Sequence, residues 1–226
     1  FACFKSNKKY EKYNLFNGLT EYRLGDLYNG GDGNSVKRNL LRNKNKFKNT
    51  IGYKYLIENG MNKNNNIESL NNIIKNHCNS DLQNNCIVHL RTGDVLEKVK
   101  MQQIIDRWSE TNNKNEFPYW RNPIQYVETK QYYLSKILKL KNLNINKIII
   151  IAGSFHKLNS FKHSIYYIDL VKKLFEENNI KVKLQIGNLA DDDVCLTYKN
   201  KYFIPGKGGY SRLLKEIAEY NNRIII

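Results

Sequence analysis

Short apolar segments alternate with longer amphipathic ones from Cys86 to the end of the chain, and this alternation constrains the fold more than any other feature. The predicted strands are residues 86–91, 147–152, 181–186, 201–204 and 223–226. The predicted helices are residues 124–140, 161–178, 191–198 and 211–220. Strands that alternate with helices of this length favour a parallel sheet with right-handed crossovers. We therefore predict an α/β fold whose sheet lies in the C-terminal half.

The first part of the chain has a different character. Residues before about Asp81 lack the period-two pattern of strands, and apolar spacing predicts a helix over 67–74. Residues 24–33 are rich in glycine, which is typical of turns. A mobile surface loop and an acceptor-binding loop both fit them. We predict a smaller, mostly helical region over 1–85 and a sheet-containing domain over 86–226. Residues 108–123 are aromatic and are predicted to be irregular.

The four cysteines show neither a CxxC pair nor the Cys/His spacing of a zinc site. Cys86 and Cys195 lie in apolar surroundings and are predicted to be core residues. A disulfide between Cys78 and Cys86 stays open as an alternative. No apolar run in the sequence is long enough to cross a membrane.

The formal net charge of +16 favours anionic partners such as nucleic acid, acidic membrane or phosphorylated small molecules. However, Asn, Lys and Ile are abundant throughout, and an AT-rich genome produces that bias without selection for binding. The lysines are also scattered along the chain. Composition bias is therefore the favoured explanation. A basic nucleic-acid-binding module that stacks bases on tyrosines is kept as an alternative.

The segment CIVHLRTGD, residues 86–94, is the most informative for function. A buried strand delivers Arg91 into a turn at Gly93 and Asp94. Ligands of open parallel sheets bind beyond the carboxyl ends of the strands. A guanidinium placed there is suited to forked hydrogen bonds with phosphate. A surface pair between Arg91 and Asp94 is the plainer alternative.

A second arginine follows a later strand, in the segment PGKGGYSR over 205–212. The glycines allow a ligand close to the backbone, and amides at a helix start bind anions. Ser211 is also compatible with a simple N-cap role. The Walker spacing GxxxxGK[ST] is absent. If the sheet forms as predicted, Arg91 converges with Ser211 and Arg212 on one crevice. Two arginines and a helix N-terminus suit a diphosphate better than a lone phosphate.

These segments resemble a known family. HLRTGD resembles the HxRxGD motif of the fucosyltransferase-like glycosyltransferases, and residues 193–213 are similar to the family's C-terminal pattern. The resemblance covers about 86–226. It implies a GT-B-like fold with a Rossmann-type nucleotide-sugar domain and a reduced acceptor-side region over 1–85. Thr92 stands where many members have a second arginine. The composition also suits a large DNA virus or an AT-rich organism.

The resemblance also implies roles for individual residues. Arg91 would bind the β-phosphate of a GDP-sugar, expected to be GDP-fucose, and Asp193 would lie near the ribose or base. His89 would order the strand end. The other expected donor-binding residues are Ser154, His156, Gly208, Gly209, Ser211 and Arg212.

The implied reaction is glycosyl transfer from the nucleotide sugar to a hydroxyl of a glycan or protein, with inversion. Arg91 would stabilise the charge that develops on the leaving phosphate, so no metal and no other cofactor are expected. Asp94 is the favoured general base, with Glu97, Asp26 and Asp32 as other candidates. Use of another nucleotide sugar, or a sugar-nucleotide fold without activity, stays open. We expect a cytoplasmic protein (host cytoplasm for a viral member), or a Golgi or ER lumenal one if an anchor has been removed.

Overall fold

The computed structural model describes residues 13, 15, 23–29, 33–60, 66–78, 81–110, 122–154 and 156–226. Before the first strand come five helices in this described part: α1 Leu24–Asn29, α2 Gly33–Arg42, α3 Lys44–Phe47, α4 Ile51–Asn59 and α5 Ile67–His77. The elements that follow are β1 Gln83–Arg91, α6 Asp94–Glu97, α7 Met101–Ser109, a 3₁₀ helix Pro123–Tyr126, α8 Lys130–Asn142, β2 Lys147–Gly153, α9 Lys162–Glu177, β3 Lys181–Ile186, α10 Ala190–Lys199, β4 Asn200–Ile204, α11 Gly209–Tyr220 and β5 Ile224–Ile225.

The strands form one parallel sheet in the order β3-β2-β1-β4-β5. The chain moves from β1 outward to β2 and β3, and then returns to the other side of β1 to form β4 and β5. This reversal between β1 and β4 is the topological switch point of a doubly wound sheet, where a crevice opens beyond the strand ends. The predicted α/β class with a parallel sheet is confirmed.

Both faces of the sheet are covered, because successive side chains of a strand point to opposite faces. Val88 and Ile150 pack with α7, α8 and α9 on one face. Ile87 and Phe203 pack on the other face with α10, α11 and the helices that precede β1. This double burial explains why the strands are continuous apolar runs instead of alternating ones.

Three local predictions were wrong. Residues 24–33 were expected to be turns, but residues 24–29 form α1 and Gly33 begins α2. The expected helix over 124–140 is interrupted, since the 3₁₀ helix ends at Tyr126 and Thr129 caps a new helix by accepting a hydrogen bond from the amide of Tyr132. Trp108 was expected in an irregular segment and lies in the last turn of α7; residues 111–121 lie outside the described residues.

The cysteine predictions need one correction. Cys78 and Cys195 form a disulfide, with 5.4 Å between their Cα atoms, so Cys195 is not a plain core residue. Cys86 is buried and free, as its apolar surroundings indicated, and the alternative of a Cys78–Cys86 bond is wrong. The disulfide joins the end of α5 to α10, two helices on the same face of the sheet.

Candidate functional site

A cavity of about 260 Å³ lies in the crevice beyond β1 and β4. Small-molecule pockets typically measure roughly 300–1,000 Å³, so this cavity is slightly smaller than that range. Its wall is built from the ends of β1 and β2, the turn before α11, the start of α10 and the start of α1. The fold therefore places it where ligands of doubly wound sheets bind.

Arg91 is the last residue of β1, and its side chain lines the cavity. Its Nη2 donates to Oδ1 of Asp94 at 3.1 Å, and its Nη1 donates to the carbonyl of Thr92 at 3.2 Å. The guanidinium carbon lies 5.8 Å from the ring centroid of Tyr126. These contacts hold the guanidinium at the cavity wall, so the plain pairing with Asp94 and a position suited to an anion occur together.

The turn before α11 lies against Arg91. A Cβ built on Gly208 would be 3.6 Å from Cδ of Arg91, and the glycine has a φ of +93°. The two elements meet because β4 ends at Ile204, opposite Val88, whereas β1 continues to Arg91. The segment after β4 therefore runs alongside the end of β1. The structure thus brings together two segments that are far apart in sequence.

His89 forms part of the cavity wall beneath this turn. Gly206 packs so closely that an added Cβ would lie 2.4 Å from the His89 carbonyl oxygen. The His89 side chain is buried, and its ring meets that of Tyr210 edge-on at 5.6 Å between centroids. Burial, and then the neighbouring charge of Arg91, lower the pKa of His89 to about 3. The imidazole is therefore neutral at physiological pH, which fits a role in ordering the strand end better than proton transfer.

Asp193, in the first turn of α10, lines the same cavity together with Asn188. Nδ2 of Asn188 donates to Oδ1 of Asp193 at 3.3 Å. Burial raises the pKa of the Asp193 carboxyl from 3.8 to about 8, so the ligand-free protein holds a neutral acid here near pH 7. Such a group can exchange hydrogen bonds with hydroxyl or amino groups of a nucleoside.

The two aspartates before Asp193 have structural partners. Oδ2 of Asp191 accepts from the amide of Ile51 at 2.9 Å, at the start of α4. Asp192 accepts from the amide of Leu189 at 3.3 Å and so caps α10. Of the three acidic residues in this turn, only Asp193 lines the cavity.

Ser154 follows β2 and lines the cavity beside Gly153. Its hydroxyl donates to the carbonyl of His156 and accepts from the amide of His156, both at 3.2 Å. It also limits residue size at Gly93, because a Cβ there would lie 2.5 Å from Cβ of Ser154. Ser154 therefore shapes the wall where the turn after β1 passes.

The structure brings His89, Arg91, Ser154, Asp193, Gly208 and Gly209 to one cavity. Other expected donor-binding residues lie elsewhere. The side chains of His156 and Arg212 are exposed, and neither lines the cavity. Ser211 is buried, and its hydroxyl has no hydrogen-bond partner among the described residues. Donor binding stays a prediction for the whole set.

The candidate general bases are also distinguished by position. Asp94 pairs with Arg91 and with Nζ of Lys98 at 3.7 Å, and it does not line the cavity. Glu97 accepts from the amide and hydroxyl of Ser164 at 2.9 and 2.8 Å, which ties α6 to the start of α9. Asp26 lines the cavity. Asp32 lies outside the described residues.

Several cavity residues were missed by the sequence analysis. Arg23 immediately precedes α1, Gly25 lies in α1, Tyr126 comes from the 3₁₀ helix and Tyr210 from α11. Arg23 was hidden because its neighbours in sequence were interpreted as a glycine-rich turn. The residues of α1 approach α11 so closely that a Cβ on Gly25 would be 2.8 Å from Cα of Tyr210. Only this tertiary contact reveals their place at the site.

A buried polar cluster holds the loop between β4 and α11. Nζ of Lys207 lies 3.2 Å from Oε2 of Glu128, and both side chains are at most 10% exposed. Burial raises the pKa of Glu128, while Lys207 opposes this shift, and burial lowers the pKa of Lys207. The hydroxyl of Tyr132 donates to the carbonyl of Pro205 at 2.9 Å. Glu128 and Tyr132 therefore hold this loop in place through Lys207 and Pro205.

Two further properties concern other kinds of site. No group of three or more His, Cys, Asp or Glu residues within the described ranges is arranged to hold a metal ion. The expectation of a metal-independent reaction stays a prediction. Across the same ranges, every helix is too short or too polar to span a bilayer.

No protein-family model matches the sequence, and no curated protein shows significant similarity to it. Among solved structures, the crystal structure of POFUT1 in complex with GDP is similar, with 12% sequence identity and a TM-score of 0.37 over 65% of this chain and 42% of that one. POFUT1 in complex with GDP-fucose shows 13% identity and a TM-score of 0.37 over 70% and 44%. The chain therefore spans less than half the length of these structures.

Proposed function

We propose that the protein is a glycosyltransferase that takes its sugar from a nucleoside diphosphate sugar. The observation that carries this proposal is the contact between Arg91 and the glycine turn at Gly208, at the switch point of a doubly wound sheet. An arginine fork and a glycine turn at a helix start are together suited to a diphosphate, since both offer N–H donors to oxygen anions.

Two further cavity residues support the proposal of a nucleoside diphosphate ligand. Asp193 is a buried carboxyl with a pKa near 8, and Asn188 adds an amide beside it. Both can bond ribose hydroxyls or base edges, whereas a site for inorganic phosphate alone would not need them. A ligand that carries both anionic oxygens and neutral polar groups fits the residues that line this cavity.

The chemistry follows from charge at the diphosphate. As the glycosidic bond breaks, its electron pair moves to the β-phosphate oxygen, and the acceptor oxygen forms a new bond to the sugar's anomeric carbon. Arg91 stabilises the negative charge on the leaving diphosphate, and donors fixed in advance contribute most to such stabilisation. The acceptor's proton passes to a carboxylate, and Asp26 is the candidate base among the described residues that lines the cavity. Asp94 pairs with Arg91 in the ligand-free protein.

GDP-fucose is the first donor to test, because of the resemblance of HLRTGD to the motif of the fucosyltransferase-like enzymes. A glycan or a protein hydroxyl is the proposed acceptor class. Retention or inversion at the sugar is decided by comparing the product's anomeric configuration with that of the donor.

The test is a thermal-shift series with GDP, UDP, CMP and GDP-fucose, followed by assays of donor hydrolysis and transfer. A ligand that binds only the native state raises the melting temperature. At a free concentration of about a hundred times its dissociation constant, it adds about 2.7 kcal/mol to the free energy of unfolding. We expect guanine nucleotides to stabilise the protein. Arg91→Ala should keep its ligand-free melting temperature and lose this stabilisation together with activity.

Arg91→Lys provides the sharper comparison, because it keeps the charge and removes the planar fork. It should bind the diphosphate more weakly than the wild-type protein does and more strongly than Arg91→Ala does. Undiminished transfer by Arg91→Ala would overturn the proposal. Salt-sensitive binding of arbitrary RNA, with no response to any nucleotide, would favour the basic nucleic-acid-binding module instead.

A further inference from the structure

A second arginine reaches the same cavity from a different part of the chain. Arg23 immediately precedes α1, and it lines the cavity that Arg91 also lines. The two side chains are equally accessible, at 21% each. They are 68 positions apart in sequence (91 − 23), so only the fold brings them to one site.

Each of these arginines is paired with an aspartate three residues later. Nη1 of Arg23 lies 3.0 Å from Oδ2 of Asp26, and Nη2 of Arg91 lies 3.1 Å from Oδ1 of Asp94. A carboxylate and a phosphate compete for the same guanidinium donors, since both offer oxygen anions with similar geometry. In the ligand-free protein, therefore, both forks are already engaged by carboxylates.

The position of Arg23 is fixed relative to the glycine turn. A Cβ on Gly25 would lie 2.8 Å from Cα of Tyr210 and 3.2 Å from the carbonyl carbon of Gly209. Backbone packed on backbone leaves little freedom to shift the start of α1 without moving the start of α11. Arg23 is thus held beside the same turn that contacts Arg91.

We propose that Arg23 is the second cationic ligand of the diphosphate, and that Asp26 and Asp94 occupy the arginine forks until the diphosphate displaces them. This inference rests on the proposed nucleotide-sugar function and adds a residue to its binding site. The two carboxylates offset the positive charges of Arg23 and Arg91, so that the ligand-free cavity does not hold two cations without counter-ions. Binding exchanges two internal ion pairs for contacts with one dianionic or trianionic ligand.

The proposed exchange predicts a specific effect of Asp26 on the affinity for the diphosphate. If Asp26 competes with the diphosphate for Arg23, removing its charge should strengthen binding, although one ion pair is lost. This gain should require Arg23, because Asp26 acts through that side chain. A purely structural role for the pair predicts the opposite result, in which Asp26→Asn weakens binding or leaves it unchanged.

The experiment is isothermal titration of inorganic pyrophosphate and of GDP into the full chain, at fixed ionic strength. Arg23→Ala should weaken the binding of both ligands by about 10- to 100-fold, as expected for one lost charge-assisted contact. Asp26→Asn should tighten the binding of both ligands several-fold. The double variant, Arg23→Ala with Asp26→Asn, should bind them as weakly as Arg23→Ala does. Arg42→Ala, an exposed arginine of α2 outside the cavity lining, is the matched control and should bind as the wild type does.

Failure of the inference is distinguishable from failure of the proposed function. If the wild type binds GDP and Arg91→Ala does not, while Arg23→Ala binds normally, the inference is wrong and the proposed function stands. Tightening by Asp26→Asn that persists in the double variant also overturns the inference. If the wild type binds neither ligand, both are wrong. Circular dichroism checks folding, and Arg23→Gln replaces Arg23→Ala in every arm if the alanine variant unfolds.

Discussion

Replacing Glu128 by methionine should destabilise the protein strongly, because it removes the carboxylate that faces the buried ammonium of Lys207. The charged atoms are 3.2 Å apart, and the side chains are 7% and 10% exposed. Burial alone disfavours both charges, as the raised pKa of Glu128 and the lowered pKa of Lys207 indicate. Each charge is therefore tolerated mainly because the other is present.

The size of the expected loss of stability follows from the burial of this ion pair. Removing one partner of a buried ion pair costs about 3–5 kcal/mol, whereas replacing both partners by apolar residues is often neutral or stabilising. One kcal/mol corresponds to about 2–4 °C in melting temperature for a domain of roughly 150–250 residues. Glu128→Met and Lys207→Met should therefore each lower the melting temperature by about 6–20 °C. The double variant should recover most of this loss.

Urea unfolding of the wild type, both single variants and the double variant gives the coupling free energy of the pair. The control is Lys173 with Glu177, which lie 3.6 Å apart with side chains 76% and 55% exposed. Methionine substitutions there should change the free energy of unfolding by less than about 1 kcal/mol. The reasoning is wrong if the buried single variants are as mild as the exposed ones, or if the double variant is as unstable as the sum of the singles.

Three further predictions concern the cavity wall and the helices beside it. Gly206→Ala should lower both the melting temperature and GDP affinity, because its Cβ would lie 2.4 Å from the carbonyl oxygen of His89; normal GDP affinity would contradict this. Asp193 has a pKa of about 8 in the folded protein, so the folded ligand-free protein keeps a proton that the unfolded chain releases. The free energy of unfolding should therefore fall as the pH rises from about 4 to about 8. Asp193→Asn should reduce that slope in thermal unfolding measured across this pH range, and an unchanged slope would contradict the assignment. Reducing the Cys78–Cys195 bond, which spans 117 residues, should lower the free energy of unfolding in urea by about 2–5 kcal/mol. The stability of a Cys78→Ser variant should not change when the reductant is added.

The strands were predictable because their signal is local. A strand buried on both faces needs a continuous apolar run, and the runs at Ile87 and Ile149 provide one each, followed by Arg91 and Gly153 at the strand ends. The parallel sheet and its carboxyl edge follow from the strand–helix alternation. The sequence alone was therefore sufficient to place Arg91 and Gly208 at the same edge of the sheet.

What the sequence could not show depends on contacts between distant segments. Arg23 belongs to the site only because Gly25 packs on α11, and no local pattern encodes that contact. Cys195 lies among apolar residues, so its pairing with Cys78 was hidden. Arg212 has the right residue type at a helix start, yet its side chain faces solvent, because neighbouring positions of a helix point in different directions.

The helix break before Thr129 was missed for a related reason. The apolar spacing runs through residues 124–140 without interruption, so periodicity alone predicts one helix. The chain instead extends at Val127, where Glu128 lies beside Lys207 and its amide donates to the hydroxyl of Tyr167 at 2.9 Å. A buried tertiary cluster thus overrides local helical preference in the segment that supports the glycine turn.

The most direct test of the central claim is a crystal structure of the protein with GDP. The proposed function predicts the diphosphate against the turn at Gly208 and Gly209, with its β-phosphate bonded to Arg91 and the nucleoside toward Asp193. The further inference adds a bond from Arg23. GDP bound elsewhere on the molecule, or a diphosphate that does not touch Arg91, would contradict the claim that the switch-point crevice is a nucleotide-sugar site.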